Sequence, residues 1–232
     1  MLQVSAKPYA FEFEINASAL MIIDMQRDFL EPDGFGAALG NDVSQLTKVI
    51  EPTRLVLEAA RAAGLLVIHT REGHRPDLSD LSPAKKRRGN FSLTIGDPGP
   101  MGRILIRGEA GHDIVPSLKP MAGEPVIDKP GKGAFYATDV ETILRNRGVA
   151  RLIVCGVTTE VCVNTTVREA NDRGFDCLVL SDCTGSYFPD FHEQALRMIS
   201  AQGGVFGWVG SSGAFIEALR SLLPPTAATG DH

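Results

Sequence analysis

Short, almost uninterrupted apolar runs alternate along this chain with stretches in which apolar residues recur every three to four positions. The runs predict strands over 18–23, 65–70, 124–128, 151–157, 176–180 and 205–209. The periodic stretches predict helices over 43–63, 138–147, 159–173 and 189–201, with Gly64, Gly148 and Gly174 as carboxyl-terminal stops. Strands that are apolar on both faces and alternate with helices imply a parallel sheet covered by helices on both sides. The fold class is therefore α/β, with three layers in one domain. Its core spans about 18–210, residues 1–17 form an amino-terminal arm, and residues 222–232 form a loose tail. The segment 71–111 is long, polar and rich in glycine and proline, as excursions over functional sites often are.

Right-handed crossovers bring the carboxyl ends of all parallel strands to one rim, and ligands of such sheets bind there. Asp24, Lys129 and Cys162 each follow a predicted strand, so a carboxylate, an ammonium and a thiol are sent to the same rim. Cys162 falls near the start of a helix, where unpaired N–H groups and the positive end of the dipole favour thiolate. Each residue also has a plainer reading. Asp24 suits a turn or cap, Lys129 suits a surface position before Pro130-Gly131, and cysteine is among the most buried residue types. Cys155, Cys177 and Cys183 read as core.

Composition narrows the classes. The 232 residues are 44% hydrophobic and 22% charged, with a formal net charge of −5. That is an ordinary globular balance with no nucleic-acid footprint. The one basic run, Lys85-Lys86-Arg87-Arg88, reads as a solvated loop between Pro83 and Gly89. No apolar run reaches the ~20 residues of a membrane span, and residues 1–15, with Lys7, Glu12 and Glu14, lack a signal-peptide pattern. The four cysteines form no Cys-x-x-Cys pair. Free thiols are expected, with neither disulfide nor zinc site, in a cytoplasmic protein without membrane or nucleic-acid partners.

A thiol, a carboxylate and an ammonium together support acyl transfer. The thiolate attacks a carbonyl, the ammonium stabilises the thiolate, and the carboxylate carries the proton to a leaving amine. Backbone N–H groups of Thr158 and Cys162 would hold the oxyanion, each such donor being worth about 3–4 kcal/mol of barrier. No metal or cofactor is required.

Three ordered segments carry a resemblance: Met21-Ile-Ile-Asp24-Met-Gln-Arg-Asp28-Phe29, Asp128-Lys129-Pro-Gly-Lys-Gly-Ala-Phe135, and Val154-Cys-Gly-Val-Thr-Thr-Glu-Val-Cys162-Val. Together they resemble the isochorismatase-like cysteine hydrolases over roughly 18–209. The resemblance implies an Asp24–Lys129–Cys162 triad, a cis Val157–Thr158 peptide aiming the Thr158 N–H into the oxyanion hole, and a homodimer or homotetramer. Isochorismatases proper lack the cysteine. Nicotinamidases place a histidine-containing metal site after the first segment, where this chain has none; His69 and His74 read as structural.

Within the family, Lys129-Pro-Gly-Lys132-Gly-Ala-Phe135 and Ser200-Ala-Gln202-Gly-Gly-Val-Phe-Gly-Trp208 look most like biuret and triuret hydrolases. That likeness implies a substrate contact from Gln202, whose amide offers donors and an acceptor to a ureido edge; a helix-end cap is the alternative. An apolar wall is expected from Phe29, Phe135 and Tyr187. Lys132 is either a second ammonium at the site or a solvent-facing lysine in a glycine-rich turn. The expected activity is release of ammonia from a terminal carbamoyl group, of triuret first and biuret second. Ureidoacrylate or N-carbamoyl acids are the rival substrates, and a non-catalytic thiol redox sensor is the rival from another class.

Overall fold

A computed structural model describes residues 1–88 and 93–222. Its strands are β1 (Leu2–Val4), β2 (Ala6–Lys7), β3 (Phe11–Phe13), β4 (Ser18–Ile23), β5 (Leu66–Glu72), β6 (Pro98–Gly99), β7 (Gly102–Arg103), β8 (Val126–Lys129), β9 (Arg151–Val157), β10 (Asp176–Gly185) and β11 (Trp208–Gly210). Its α-helices are α1 (Arg27–Leu30), α2 (Phe35–Ala38), α3 (Ser44–Thr47), α4 (Ile50–Ala62), α5 (Pro83–Lys86), α6 (Val140–Asn146), α7 (Asn164–Asp172), α8 (Pro189–Gly204) and α9 (Ser212–Arg220).

Seven strands form the main sheet in the order β2-β11-β10-β9-β4-β5-β8. All its pairs are parallel except the edge pair β11/β2. The chain starts in the middle at β4, winds outward to β5 and β8, then returns to β9 on the other side. The direction of winding therefore reverses between β4 and β9. The carboxyl ends of adjacent strands diverge at such a reversal and leave a crevice. Ile23, the last residue of β4, pairs with Gly156 of β9 and Thr70 of β5, and Glu72 pairs with Lys129.

Burial explains the strand pattern. All six residues of β4 are buried, because helices cover both faces. One face packs against α4 and α9 through Leu20, Ile22, Val56, Leu57 and Phe215. The other packs against α6, α7 and α8 through Met21, Ile23, Leu144, Val167 and Ile199. Each such aliphatic side chain removed from water contributes about 1.5–3 kcal/mol.

Several elements differ from the sequence expectation. The helix predicted over 43–63 is two pieces, α3 and α4. Pro52 sits in the first turn of α4, where its missing N–H costs nothing but forbids continuation from upstream. The helix predicted over 159–173 opens with a π-helical turn, Thr159–Val163, before α7. The residues 1–17 are more than an arm: β1 and β3 form a hairpin, β2 closes the sheet edge, and the Phe13 ring lies 5.6 Å from that of Phe215. Helix α9 was not anticipated. The expected loose tail lies almost wholly outside the described residues.

Candidate active site

Asp24 follows β4 with a left-handed backbone, φ 50°. Its carboxylate accepts a hydrogen bond from Thr70 Oγ1 at 2.6 Å, and its N–H donates to Thr70 O at 3.1 Å. The neighbouring strand therefore fixes its direction. Lys129 ends β8 and is completely buried, with Nζ 2.7 Å from Asp24 Oδ2 and donating to Gly131 O at 3.1 Å. Cys162 sits in the π-helical turn and is 4% exposed. Thr166 Oγ1 donates to Cys162 O at 2.7 Å and accepts from Ala134 N at 3.1 Å, so the turn that carries Cys162 is tied to the segment after Lys129. The Val157–Thr158 peptide is cis. The π-helical turn begins at the next residue, and Thr159 Oγ1 lies 2.8 Å from His192 Nδ1.

A fourth residue, unforeseen from the sequence, joins them. Glu72, the last residue of β5, is 1% exposed. Its carboxylate, that of Asp24 and the Cys162 sulfur each place an atom within 4.8 Å of the others. Two carboxylates and a sulfur so close are donors of the kind a metal cation takes. Here the Lys129 ammonium occupies that role, 2.7 Å from Asp24 and 3.9 Å from Glu72.

Two further ammoniums reach Glu72. Lys132 Nζ lies 2.8 Å and Lys85 Nζ 2.7 Å from Oε1. Lys132 is thus neither wholly solvent-facing nor a free ammonium. Its stem is exposed and its head turns inward to a buried carboxylate. Lys85 corrects the reading of 85–88 as a solvated loop. Ser82 caps the short helix α5 by accepting from Lys85 N, and the Lys85 ammonium points into the protein. It donates to Pro130 O at 2.6 Å and lies 3.0 Å from His74 Nε2. His74 Nδ1 in turn faces Asp80 Oδ1 at 3.1 Å, and His69 Nε2 faces Glu124 Oε2 at 3.0 Å. Both histidines are engaged in protein contacts.

The electrostatics follow from crowding. Burial pushes the Cys162 thiol well above its ordinary pKa, against the pull of Lys129 and Lys132. Burial also acts against the Lys129 ammonium, yet Asp24 and the other negative groups more than offset it and hold the pKa above normal. Glu72 is pushed up by burial, but Lys129, Lys132 and Lys85 overcome this and hold it at about 2.

A cavity of about 500 Å³ opens beside this cluster, lined by Lys85, Arg88, Lys132, Phe35, Leu105 and Tyr136 among others. The expected apolar wall is placed elsewhere. Phe135 is a core residue whose ring packs on Phe175 at 5.7 Å, drawn inward because its N–H is held by Glu169. Tyr187 donates to Phe29 O at 2.8 Å, and both pack against the core on the α4 side of the sheet. None of the three lines the cavity.

Gln202 is also displaced. Helix α8 descends from the rim that carries Cys162 toward the amino ends of the strands, and its first twelve residues alone span about 18 Å. There Ala201, Gln202 and Gly203 leave helical geometry, and Gln202 is exposed with φ 52°. β11 begins just beyond, beside Leu178 near the start of β10. The fold therefore carries Gln202 away from Asp24, Lys129 and Cys162 of its own chain.

The sequence and the fold have counterparts among known proteins. Residues 18–211 match the model of the isochorismatase domain. The chain is 32% identical over 231 residues to the ureidoacrylate amidohydrolase RutB of Serratia proteamaculans, covering 97% of this chain and 92% of that protein. It is 33% identical over 229 residues to the protein of the same name from Yersinia enterocolitica, covering 97% and 96%. Among solved structures, a cysteine hydrolase from Pseudomonas syringae pv. phaseolicola superposes with a TM-score of 0.77 at 28% identity, covering 91% of this chain and 96% of that one. The domain match covers most of the chain, and the two amidohydrolases are 32% and 33% identical to it along nearly all of its length, so this chain belongs to the isochorismatase family.

Proposed function

We propose that the protein is a cysteine amidohydrolase that removes a terminal carbamoyl nitrogen from a linear ureido compound, with triuret the first substrate and biuret the second. The reading rests on one observation: the thiol, the Asp24–Lys129 ion pair and a second carboxylate crowd into one buried cluster beside a small cavity. Cys162 attacks the terminal carbonyl carbon while Asp24 takes the thiol proton. The C–N bond breaks, ammonia leaves with that proton, and a thioester remains. Water, deprotonated by Asp24, then cleaves the C–S bond and regenerates the thiol. The product is N-carboxylated biuret from triuret, or N-carboxylated urea from biuret, and it loses carbon dioxide to leave biuret or urea. Lys129 stays charged throughout and stabilises the sulfur as it becomes anionic. Backbone N–H groups of Thr158 and Cys162 receive the oxyanion.

A neutral substrate fits the charges. The Lys132 and Lys85 ammoniums beside the cavity are already engaged by Glu72. A second reading, ureidoacrylate-type hydrolysis, is favoured by the names of the similar proteins and by Arg88 in the cavity lining. Ammonia release from triuret, biuret, ureidoacrylate, N-carbamoyl acids and nicotinamide separates the two. Cys162→Ser is expected to abolish ammonia release, by about a thousandfold or more, while keeping substrate affinity. Turnover by that variant near the wild-type rate sinks the proposal.

A further inference from the structure

The cluster contains a carboxylate that the thiol–carboxylate–ammonium chemistry does not use. Glu72 is held on every side. Its N–H donates to Gln26 Oε1 at 2.7 Å, and Gln26 Nε2 donates to Glu72 O at 3.0 Å. Its Oε1 faces Lys85 and Lys132, while its Oε2 faces Lys132 at 3.1 Å, Lys129 at 3.9 Å and the Cys162 sulfur at 3.5 Å. The thiol hydrogen thus has Glu72 as its acceptor in the resting site. A carboxylate shared among three ammoniums is a weak base. Asp24, which faces one ammonium, is the better destination for the proton once attack begins.

We propose that Glu72 is a positioning residue of the active site: it accepts the resting hydrogen bond of the Cys162 thiol and gathers Lys132 and Lys85 beside Lys129, so that it sets the charge around the sulfur. The groups that face this sulfur are Asp24 after β4, Glu72 on β5, Lys129 at the end of β8 and Lys132 in the turn that follows. Lys85 on α5 acts through Glu72, and His74 lies behind Lys85. With Glu72 present, three ammoniums stand against two carboxylates. Without it they stand against Asp24 alone, and the balance tips toward thiolate. Lys85 also ties the excursion between β5 and β8 to the site, since its one ammonium touches both Glu72 and Pro130.

This inference rests on the reading of Cys162 as the nucleophile, yet it is tested without substrate. The rate of iodoacetamide alkylation at Cys162, followed by peptide mass spectrometry across pH, gives the midpoint of thiolate formation in the intact protein. In Glu72→Gln the midpoint is expected to fall by about one pH unit or more, the usual effect of a charge at this distance, and ammonia release is expected to fall with it. In Lys132→Met the midpoint is expected to rise, because one positive charge is lost and Glu72 is less neutralised. A residue that only supports the fold would not produce shifts of opposite sign. Midpoints that stay put in both variants, or move the same way in both, overturn the proposal. If Glu72→Gln does not fold, Lys132→Met decides alone: an unmoved or lowered midpoint overturns it. Absence of turnover on every ureido compound would defeat the proposed activity and leave the alkylation result intact.

Discussion

Lys129 is entirely inside the protein, where an unpaired ammonium would not survive. Asp24 and Glu72 make its charge tolerable, and it does the same for them. Replacing it with methionine keeps the volume and strands two carboxylates. Lys129→Met is expected to lose about 3–5 kcal/mol of stability along with ammonia release, as read by denaturant unfolding; an unchanged unfolding midpoint would show that the pair is not buried as described. That Asp24, Lys129 and Cys162 share one rim was legible in the sequence, because each lies at or shortly after the end of a predicted strand. Glu72 also ends a strand, yet no apolar run leads directly up to it. The apolar run of β5 ends at Thr70, while the strand continues through Arg71 and Glu72. Arg71 is matched by Asp128 at 2.8 Å, and Glu72 by its lysines. Charges that find partners across the chain do not look like strand when read locally.

Elements decide where a motif residue ends up, and α8 is the clearest case. The segment Ser200-Ala-Gln202-Gly-Gly was read as a site feature from likeness alone, whereas the helix before it fixes its rim. Phe135 departs from the expected apolar wall for a similar reason: aromatic identity does not say which side of the sheet a ring faces, and this ring turns into the core. Helix α9 had a usable signal, namely Ser211 followed by apolar residues at Phe215, Ala218 and Leu219. Ser211 Oγ accepts from Ala214 N at 3.2 Å and satisfies one of the helix's free donors. Ser211→Ala is expected to lower stability by about 1 kcal/mol, measurable as a drop in Tm without loss of catalysis; an unaltered Tm would mean that the cap contributes nothing. Because α9 packs against α4 and β1, such a loss propagates to the hairpin at the amino terminus.

For the whole molecule, the reversal of winding between β4 and β9 places the crevice, and the alternation of strands and helices already implied it. Charge also acts at this scale. Burial lowers the pKa of His69, His74, His112 and His192, that of His112 to about 4, below the ordinary 6.5. The unfolded chain therefore binds protons before the folded one does, and stability falls as pH drops below about 6.5. Glu72 and Glu124, both held at about 2, add a second loss as pH falls through the ordinary glutamate value of 4.5 toward 2. Tm is expected to be level near pH 7, to decline below 6.5 and to decline more steeply below 4.5; a Tm that holds or rises between pH 6.5 and 4 would contradict these protonation states. No helix among the described residues is long and apolar enough to cross a membrane.

The seclusion of the sulfur has an outcome for the protein's life in air. A thiol that is 4% exposed, with burial pushing its pKa up, is a poor target for peroxide, which attacks thiolates. Cys155, Cys177 and Cys183 are all fully buried. Aerobic storage should therefore spare this sulfur where an open, acidic cysteine would be lost.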